Sequence, residues 1–173
     1  MPRKYSYKGN TDDVIKTSCT GMRLSFKNTT QTGNAIKNMT LPEATKYLKD
    51  VCDKKRCIPF RFFNGGIGKT SQAKEFGATE GRWPEKSCKL VLSLLQNAKS
   101  NAENKGVETA DLVVKHVQVN CGFRFRRRMY RAHGRITPRT GASCHVEIVL
   151  VPRSAAEEAA SARLKGKPME LVA

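Results

Sequence analysis

Cys121-Gly122-Phe123-Arg124-Phe125-Arg126-Arg127-Arg128-Met129-Tyr130-Arg131-Ala132-His133-Gly134-Arg135-Ile136-Thr137-Pro138-Arg139-Thr140-Gly141 decides how the rest of the chain is read. It holds seven arginines and no acidic residue, with Phe123, Phe125, Met129 and Tyr130 interleaved among them. Like charges repel, and nothing inside the stretch neutralises them. A polyanion is expected to hold it in place, with RNA the first candidate.

The flanks of this stretch read as strands. From Leu112 to Cys121, Val117, Val119 and Cys121 share one face; from Cys144 to Val151, Cys144, Val146, Ile148 and Leu150 do. The two should pair as antiparallel neighbours, with the arginine stretch folded between them. His133-Gly134 is a suitable tip, because glycine tolerates positive φ. An extended run from Cys121 to His133 would project on the order of 40 Å. A two-stranded ribbon of that length is marginal in water and needs a surface to lie on. Neighbouring residues of a pleated ribbon face opposite sides, so Arg126 and Arg128 should point one way and Arg127 the other.

Upstream, Cys19 to Phe26 alternates as a half-buried strand, with Met22, Leu24 and Phe26 on one side. Asn28 with Gln31 has capping-box spacing and opens a helix signal carrying Ala35, Ile36 and Met39. Thr40 with Glu43 forms a better box, and Leu41, Ala44, Leu48, Val51 and Cys52 then recur at helical spacing. Residues 55–83 are Gly-rich and basic, an irregular excursion that is either disordered or laid on a partner. The longest helix should run from Pro84 to Asn104, with Cys88, Val91, Leu92, Leu95, Ala98 and Ala102 as its stripe and Gly106 as its stop.

Helices and strands therefore segregate. The expected class is α+β: three helices packed on a small three-stranded antiparallel sheet, with two strands extended into a long β-hairpin. Residues 1–17 should form an extended basic arm and 18–152 a single globular domain, with the insertion at 55–83 and the hairpin at about 119–146. Residues 153–173 should form a flexible tail.

The composition agrees with a polyanion partner. The 173 residues include 32 Lys and Arg against 15 Asp and Glu, a net charge of +17. Such a chain binds nucleic acid or a membrane surface, and no amphipathic basic helix or bilayer-length apolar run supports the membrane. Met1 to Asp13 has neither a signal-peptide core nor transit-peptide character. The glycosylation patterns at Asn28 and Asn38 are accordingly expected to stay unused, and the six cysteines to be reduced thiols.

The run Arg126 to Arg135 resembles the tunnel hairpin of the universal large-subunit ribosomal protein family called L twenty-two in bacteria and L seventeen in eukaryotes. The resemblance spans about residues 2–152. It includes Phe26-Lys27-Asn28-Thr29, Ala44-Thr45-Lys46-Tyr47-Leu48-Lys49-Asp50-Val51, Pro59-Phe60-Arg61, Asn64-Gly65-Gly66, Gly81-Arg82-Trp83-Pro84 and Asn97-Ala98-Lys99-Ser100-Asn101-Ala102. The Gly-rich insertion looks like that of the archaeal and eukaryotic branch, and the cysteines and the tail favour a eukaryote.

The resemblance implies a body seated on large-subunit rRNA near the outer end of the peptide exit tunnel, and a hairpin threaded inward. It implies no catalytic activity and no cofactor. The implied partners are rRNA, neighbouring large-subunit proteins including the other tunnel-constriction protein, the nascent polypeptide and exit-site factors. The implied location is the cytoplasmic ribosome, with assembly in the nucleolus. The expected rRNA contacts are Arg3, Lys4, Arg61, Lys69, Arg82, Arg124, Arg126, Arg127, Arg128, Tyr130, Arg131, Arg135 and Arg139. The expected tunnel-lining tip is Arg131, Ala132, His133, Gly134 and Arg135.

The chemistry points the same way without the family. Arginine pairs bidentately with phosphate and stacks on bases, and Phe123, Phe125 and Tyr130 offer faces to unpaired bases. Competing readings are weaker. A phosphate loop ending in Gly68-Lys69-Thr70 would need glycine where Phe63 stands. Cys52 and Cys57 lack knuckle spacing, and a zinc site from Cys121, Cys144 and His145 is less expected than buried free thiols. His116 is expected to be structural or at an RNA surface. Trp83 is expected to staple the insertion to the long helix.

Overall fold

A computed structural model describes residues 5–7 and 14–153. Arg3, Lys4 and the tail beyond Arg153 lie outside the described residues.

The body is one antiparallel sheet with helices on one face. The strands are β1 (Ile15–Met22), β4 (Leu112–Cys121) and β7 (Cys144–Pro152), in the order β1-β7-β4. The helices are α1 (Phe26–Ala35), α2 (Leu41–Cys52) and α3 (Glu85–Asn104). The expected α+β arrangement of three helices on a three-stranded sheet is therefore present.

β7 is central and is buried on both faces. Cys144, Val146, Ile148 and Leu150 join the main core, while Val149 and Val151 pack with Val14 and Tyr7 on the other side. In β4 the apolar parity changes: Leu112 and Val114 are buried, then Val117. The register explains the change, because Val114 pairs Leu150 and His116 pairs Val149, leaving Lys115 as the extra residue of a bulge. A bulge shifts the alternation by one, so both apolar sets reach the same core.

β1 begins at Ile15, inside the stretch expected to be an arm, and ends at Met22, short of the expected Phe26. Its inward residues include Thr17, buried with its hydroxyl on the Ile148 carbonyl at 3.5 Å. An inward threonine hides the alternation from an apolar pattern.

α1 starts at Phe26, not Asn28, and its buried face is polar: Thr29, Gln31, Thr32 and Gly33. Thr29, Thr30 and Thr32 donate to the carbonyls of Ser25, Phe26 and Asn28, four residues back, at 2.8–3.0 Å. Gly33 allows close approach to the sheet, since a Cβ there would stand 2.8 Å from Val117 Cγ1. α2 opens with the expected capping box, the Thr40 N–H donating to Glu43 Oε2 at 3.1 Å. α3 buries Cys88, Val91, Leu94, Leu95, Ala98 and Ala102; Leu92 is only partly buried.

Residues 55–83 have a folded framework of their own, so of the two alternatives expected it is disorder that falls. Two short strands, β2 (Ile58–Pro59) and β3 (Gly81–Arg82), pair antiparallel, and a 3-10 helix spans Ser71–Phe76. Cys57, Ile58, Phe60 and Ala73 are buried. The Tyr47 hydroxyl donates to the Cys57 carbonyl at 2.7 Å, and the Tyr47 and Phe76 rings meet edge to face. Arg56 lies over both rings and pairs with Glu75. Trp83 is 38% exposed, its indole N–H donates to Gln72 Oε1 at 2.9 Å within the insertion, and its carbonyl accepts the Glu85 N–H at the start of α3 at 2.9 Å.

Candidate nucleic-acid interface

The arginine stretch forms its own two-stranded sheet, β5 (Phe125–Tyr130) against β6 (Ile136–Gly141). The register runs from Phe125 opposite Gly141 to Tyr130 opposite Ile136. Alternation then puts Arg126, Arg128 and Tyr130 on one face of this finger and Phe125, Arg127 and Met129 on the other. Every residue of β5 is exposed. Among the described residues no carboxylate pairs with an arginine of the finger.

The tip turns at His133-Gly134, both with positive φ, as mirror-image hairpin turns require. The Arg131 N–H donates to the Arg135 carbonyl at 2.8 Å, and Arg131 Nε donates to Thr137 Oγ1 at 3.2 Å. Arg131, Ala132, His133, Gly134 and Arg135 thus form an exposed cap on the finger.

The finger is not a plain continuation of β4 and β7. Between the Cys121–Cys144 and Phe125–Gly141 pairs, residues 122–124 face residues 142–143, so the ladder is interrupted by a bulge. The joint is pinned. The Gly122 N–H donates to the Ser143 carbonyl at 2.9 Å, and the Ser143 hydroxyl donates to the Phe123 carbonyl at 2.6 Å. Phe123 and Phe125 meet edge to face, and Arg23 lies 5.4 Å over the Phe125 ring. Arg124 lines a cleft of about 300 Å³ between this joint and the start of α1, with Phe26 and Lys27 on the opposite wall.

Arg61, Lys69 and Arg82 are not on the finger. They sit on the insertion and are exposed there. Arg61 Nη2 donates to the Phe76 carbonyl at 3.2 Å, and Arg82 Nη2 to the Gly66 carbonyl at 3.3 Å. Each guanidinium therefore braces a loop and keeps further N–H groups for another acceptor. Phe62 and Phe63 protrude between them, Phe63 meeting the Phe26 ring and lying under Lys27 Nζ.

His116 faces Ser6 and Tyr7, with Nε2 3.2 Å from the Ser6 hydroxyl. Burial, helped by the charge of Lys37, lowers its pKa below the usual histidine value. Cys144 is buried against Thr29, and burial pushes its thiol up. His145 Nδ1 accepts the Gly21 N–H at 3.1 Å. Cys144 and His145 are thus each engaged elsewhere, and among the described residues no three His, Cys, Asp or Glu side chains gather to hold a metal.

Sequence reasoning missed Arg23, which stacks at the joint, and Gln31, buried beside the insertion. Neither has a signal in the sequence: one is a lone cation, the other a polar residue in a helix.

The fold and site define a small α+β protein with an exposed cationic finger, suited to a polyanionic partner. The model of the family described as ribosomal protein L22p/L17e matches residues 18–151, and the chain belongs to that family. It is similar to the large ribosomal subunit protein uL22 of Biphyllus lunatus, 49% identical over 87% of this chain and 83% of that one. The Theileria annulata protein of the same name is 56% identical over 75% of this chain and 70% of its own. That of Drosophila melanogaster is 46% identical over 95% of this chain and 93% of its own, so this alignment extends outside residues 2–152. The chain is a eukaryotic-type structural constituent of the large ribosomal subunit and is not an enzyme. Among the described residues no helix is long and apolar enough to cross a membrane.

Proposed function

We propose that the chain binds large-subunit rRNA through the finger, the joint at its base and the insertion, and that it supports folding of that RNA during subunit assembly. The observation that carries this reading is the exposed β5–β6 ladder, cationic on both faces and without a carboxylate on either strand. RNA packed on both sides neutralises Arg126 and Arg128 on one face and Arg127 and Arg139 on the other. Tyr130, Phe123 and Phe62 offer exposed rings to unpaired bases. Arg3, Lys4, Lys69, Arg82, Arg124, Arg131 and Arg135 extend the contact surface.

In this reading the tip, Arg131 to Arg135, lines the nascent-peptide exit tunnel beside a second ribosomal protein. The growing polypeptide passes the tip, and factors at the tunnel mouth meet the body. The protein works on cytoplasmic ribosomes after assembly in the nucleolus.

The test is sedimentation of tagged chain from cell lysate through sucrose at rising salt. The chain is expected with large subunits through moderate salt. Recovery mainly in light fractions at low salt would instead identify a free-standing RNA chaperone.

A further inference from the structure

We propose that Cys121 and Cys144 are a modification site, at which peroxide joins the two thiols of the RNA-free chain in a disulfide that closes the base of the finger. This chemistry needs no bound RNA.

Cys121 ends β4, Cys144 opens β7, and the two are directly opposed. Opposed residues share a face, here the one that carries Val117, Val146 and Ile148 into the core. One step further on, the Gly122 N–H donates to the Ser143 carbonyl. That places Cys121 and Cys144 in the pair that is not hydrogen-bonded, where Cα atoms stand about 4.5 Å apart and side chains come closest. A disulfide takes Cα separations of about 4.4–6.8 Å. The interruption at residues 122–124 and 142–143 gives the backbone slack for the adjustment. Cys19 is the rival partner, but it pairs with Val146, diagonal to Cys144. Diagonal neighbours stand about 7–8 Å apart, beyond the reach of a disulfide.

The two thiols differ in access. Cys121 is exposed and lines the cleft shared with Lys27 and Arg124, which no carboxylate lines. Cys144 is buried, and its thiol donates only a long contact of 3.9 Å to the Thr29 hydroxyl, so rotation about χ1 gives up little. Peroxide therefore meets Cys121 first. The Cys121 sulfur attacks one peroxide oxygen and the O–O bond breaks. Cys121 becomes a sulfenic acid, and the leaving hydroxide takes the thiol proton as water. The Cys144 sulfur then attacks the Cys121 sulfur. The S–S bond forms, the S–O bond breaks, and the departing hydroxide takes the Cys144 proton as a second water. Both thiols are oxidised and the peroxide is reduced. The new bond encloses the whole finger in one covalent ring.

The experiment treats the purified, RNA-free full chain with hydrogen peroxide and maps its unreduced peptides by mass spectrometry. The Cys121 and Cys144 peptides are expected linked within a monomer, and the link is expected to be lost on adding a phosphine reductant. Cys19→Ser should keep the link and Cys121→Ser should abolish it. Cys121 is exposed, so its variant leaves the core intact. Amide exchange at residues 122–125 should slow in the oxidised wild-type chain and stay unchanged in peroxide-treated Cys121→Ser. A Cys121 that stops at the sulfenic acid, bridges two chains or stays reduced would overturn the proposal, as would a link from Cys144 to Cys19.

Discussion

Arg127 and Arg139 stand directly opposite each other across the finger, paired in the antiparallel register with no acidic side chain on either strand. Like charges in directly opposed positions destabilise a ladder, by the few tenths to one kcal/mol that such pairs typically carry. The finger thus holds a repulsion that a simple structural hairpin would avoid.

Arg139→Glu converts this pair to opposite charges. The RNA-free variant should show stronger hydrogen-exchange protection across Phe125 to Tyr130, by up to about 1 kcal/mol. The same variant should leave large subunits at lower salt than wild type. A variant with unchanged protection and unchanged retention would refute the proposed balance.

Replacing Arg126, Arg127 and Arg128 together with alanine should weaken incorporation into large subunits. For a single-stranded fragment, the slope of log affinity against log salt should become shallower by about 0.7 for each phosphate that is no longer neutralised. Sedimentation and a salt titration with an rRNA fragment measure the two effects. Normal incorporation with the wild-type slope would show that these arginines do not reach phosphate.

Gly122→Ala should damage the joint without touching the main core. A Cβ at Gly122 would stand 2.5 Å from Ser143 Oγ and 3.1 Å from His145 Nε2. Ser143 must then shift and loosen its bond to the Phe123 carbonyl. The expected cost is about 1–3 kcal/mol in a chemical-denaturation curve, with exchange raised at residues 122–125. Wild-type stability and exchange would show that the joint has slack.

Arg56→Met should loosen the insertion. The guanidinium lies 4.6 Å over the Tyr47 ring and 5.5 Å from that of Phe76, and it pairs with Glu75. The ion pair is half in solvent and counts for little, so the loss is set mainly by the ring contacts, about 1 kcal/mol. Limited proteolysis should begin within residues 61–80 sooner than in wild type. An unchanged cleavage pattern would assign the packing to Phe60 and Ala73 alone.

The cysteines give the fold an alkaline limit. Burial pushes the Cys88 thiol up to about 12 and also raises Cys57, Cys52 and Cys144. A raised folded-state value means that the neutral thiol is favoured in the native chain. Its contribution is present in full below the ordinary thiol range, near pH 8.5, and is lost as pH climbs toward about 12. Stability should therefore fall on that alkaline limb, and Cys88→Ser should flatten it. At neutral pH a thiol reagent should label exposed Cys121 well before buried Cys88. Equal labelling rates would contradict the buried placement.

What can be read in the chain follows from how strongly each element is patterned. Leu112–Cys121 and Cys144–Pro152 are legible because apolar residues alternate along them, and α2 because Thr40 and Glu43 announce its start. β1 and α1 are displaced from their expected bounds because their inward residues are polar: Thr17, Thr29 and Gln31 are buried through hydrogen bonding or close packing, which no hydrophobic pattern reports. The insertion's order is hidden because its framework is two-residue strands and guanidinium-to-carbonyl braces, too short for any period. The finger's arginines announce the interface, whereas the cleft beside Arg124 joins Ser25, Phe26 and Lys27 to Cys121 and Gly122, far apart in the chain.

The interruption at residues 122–124 and 142–143 also separates two kinds of change. A matched pair of residues added to β5 and β6 would lengthen the finger by about 3.3 Å for each residue per strand, with β1, β4 and β7 keeping their partners. Reach can vary between lineages while the seat of the molecule stays the same.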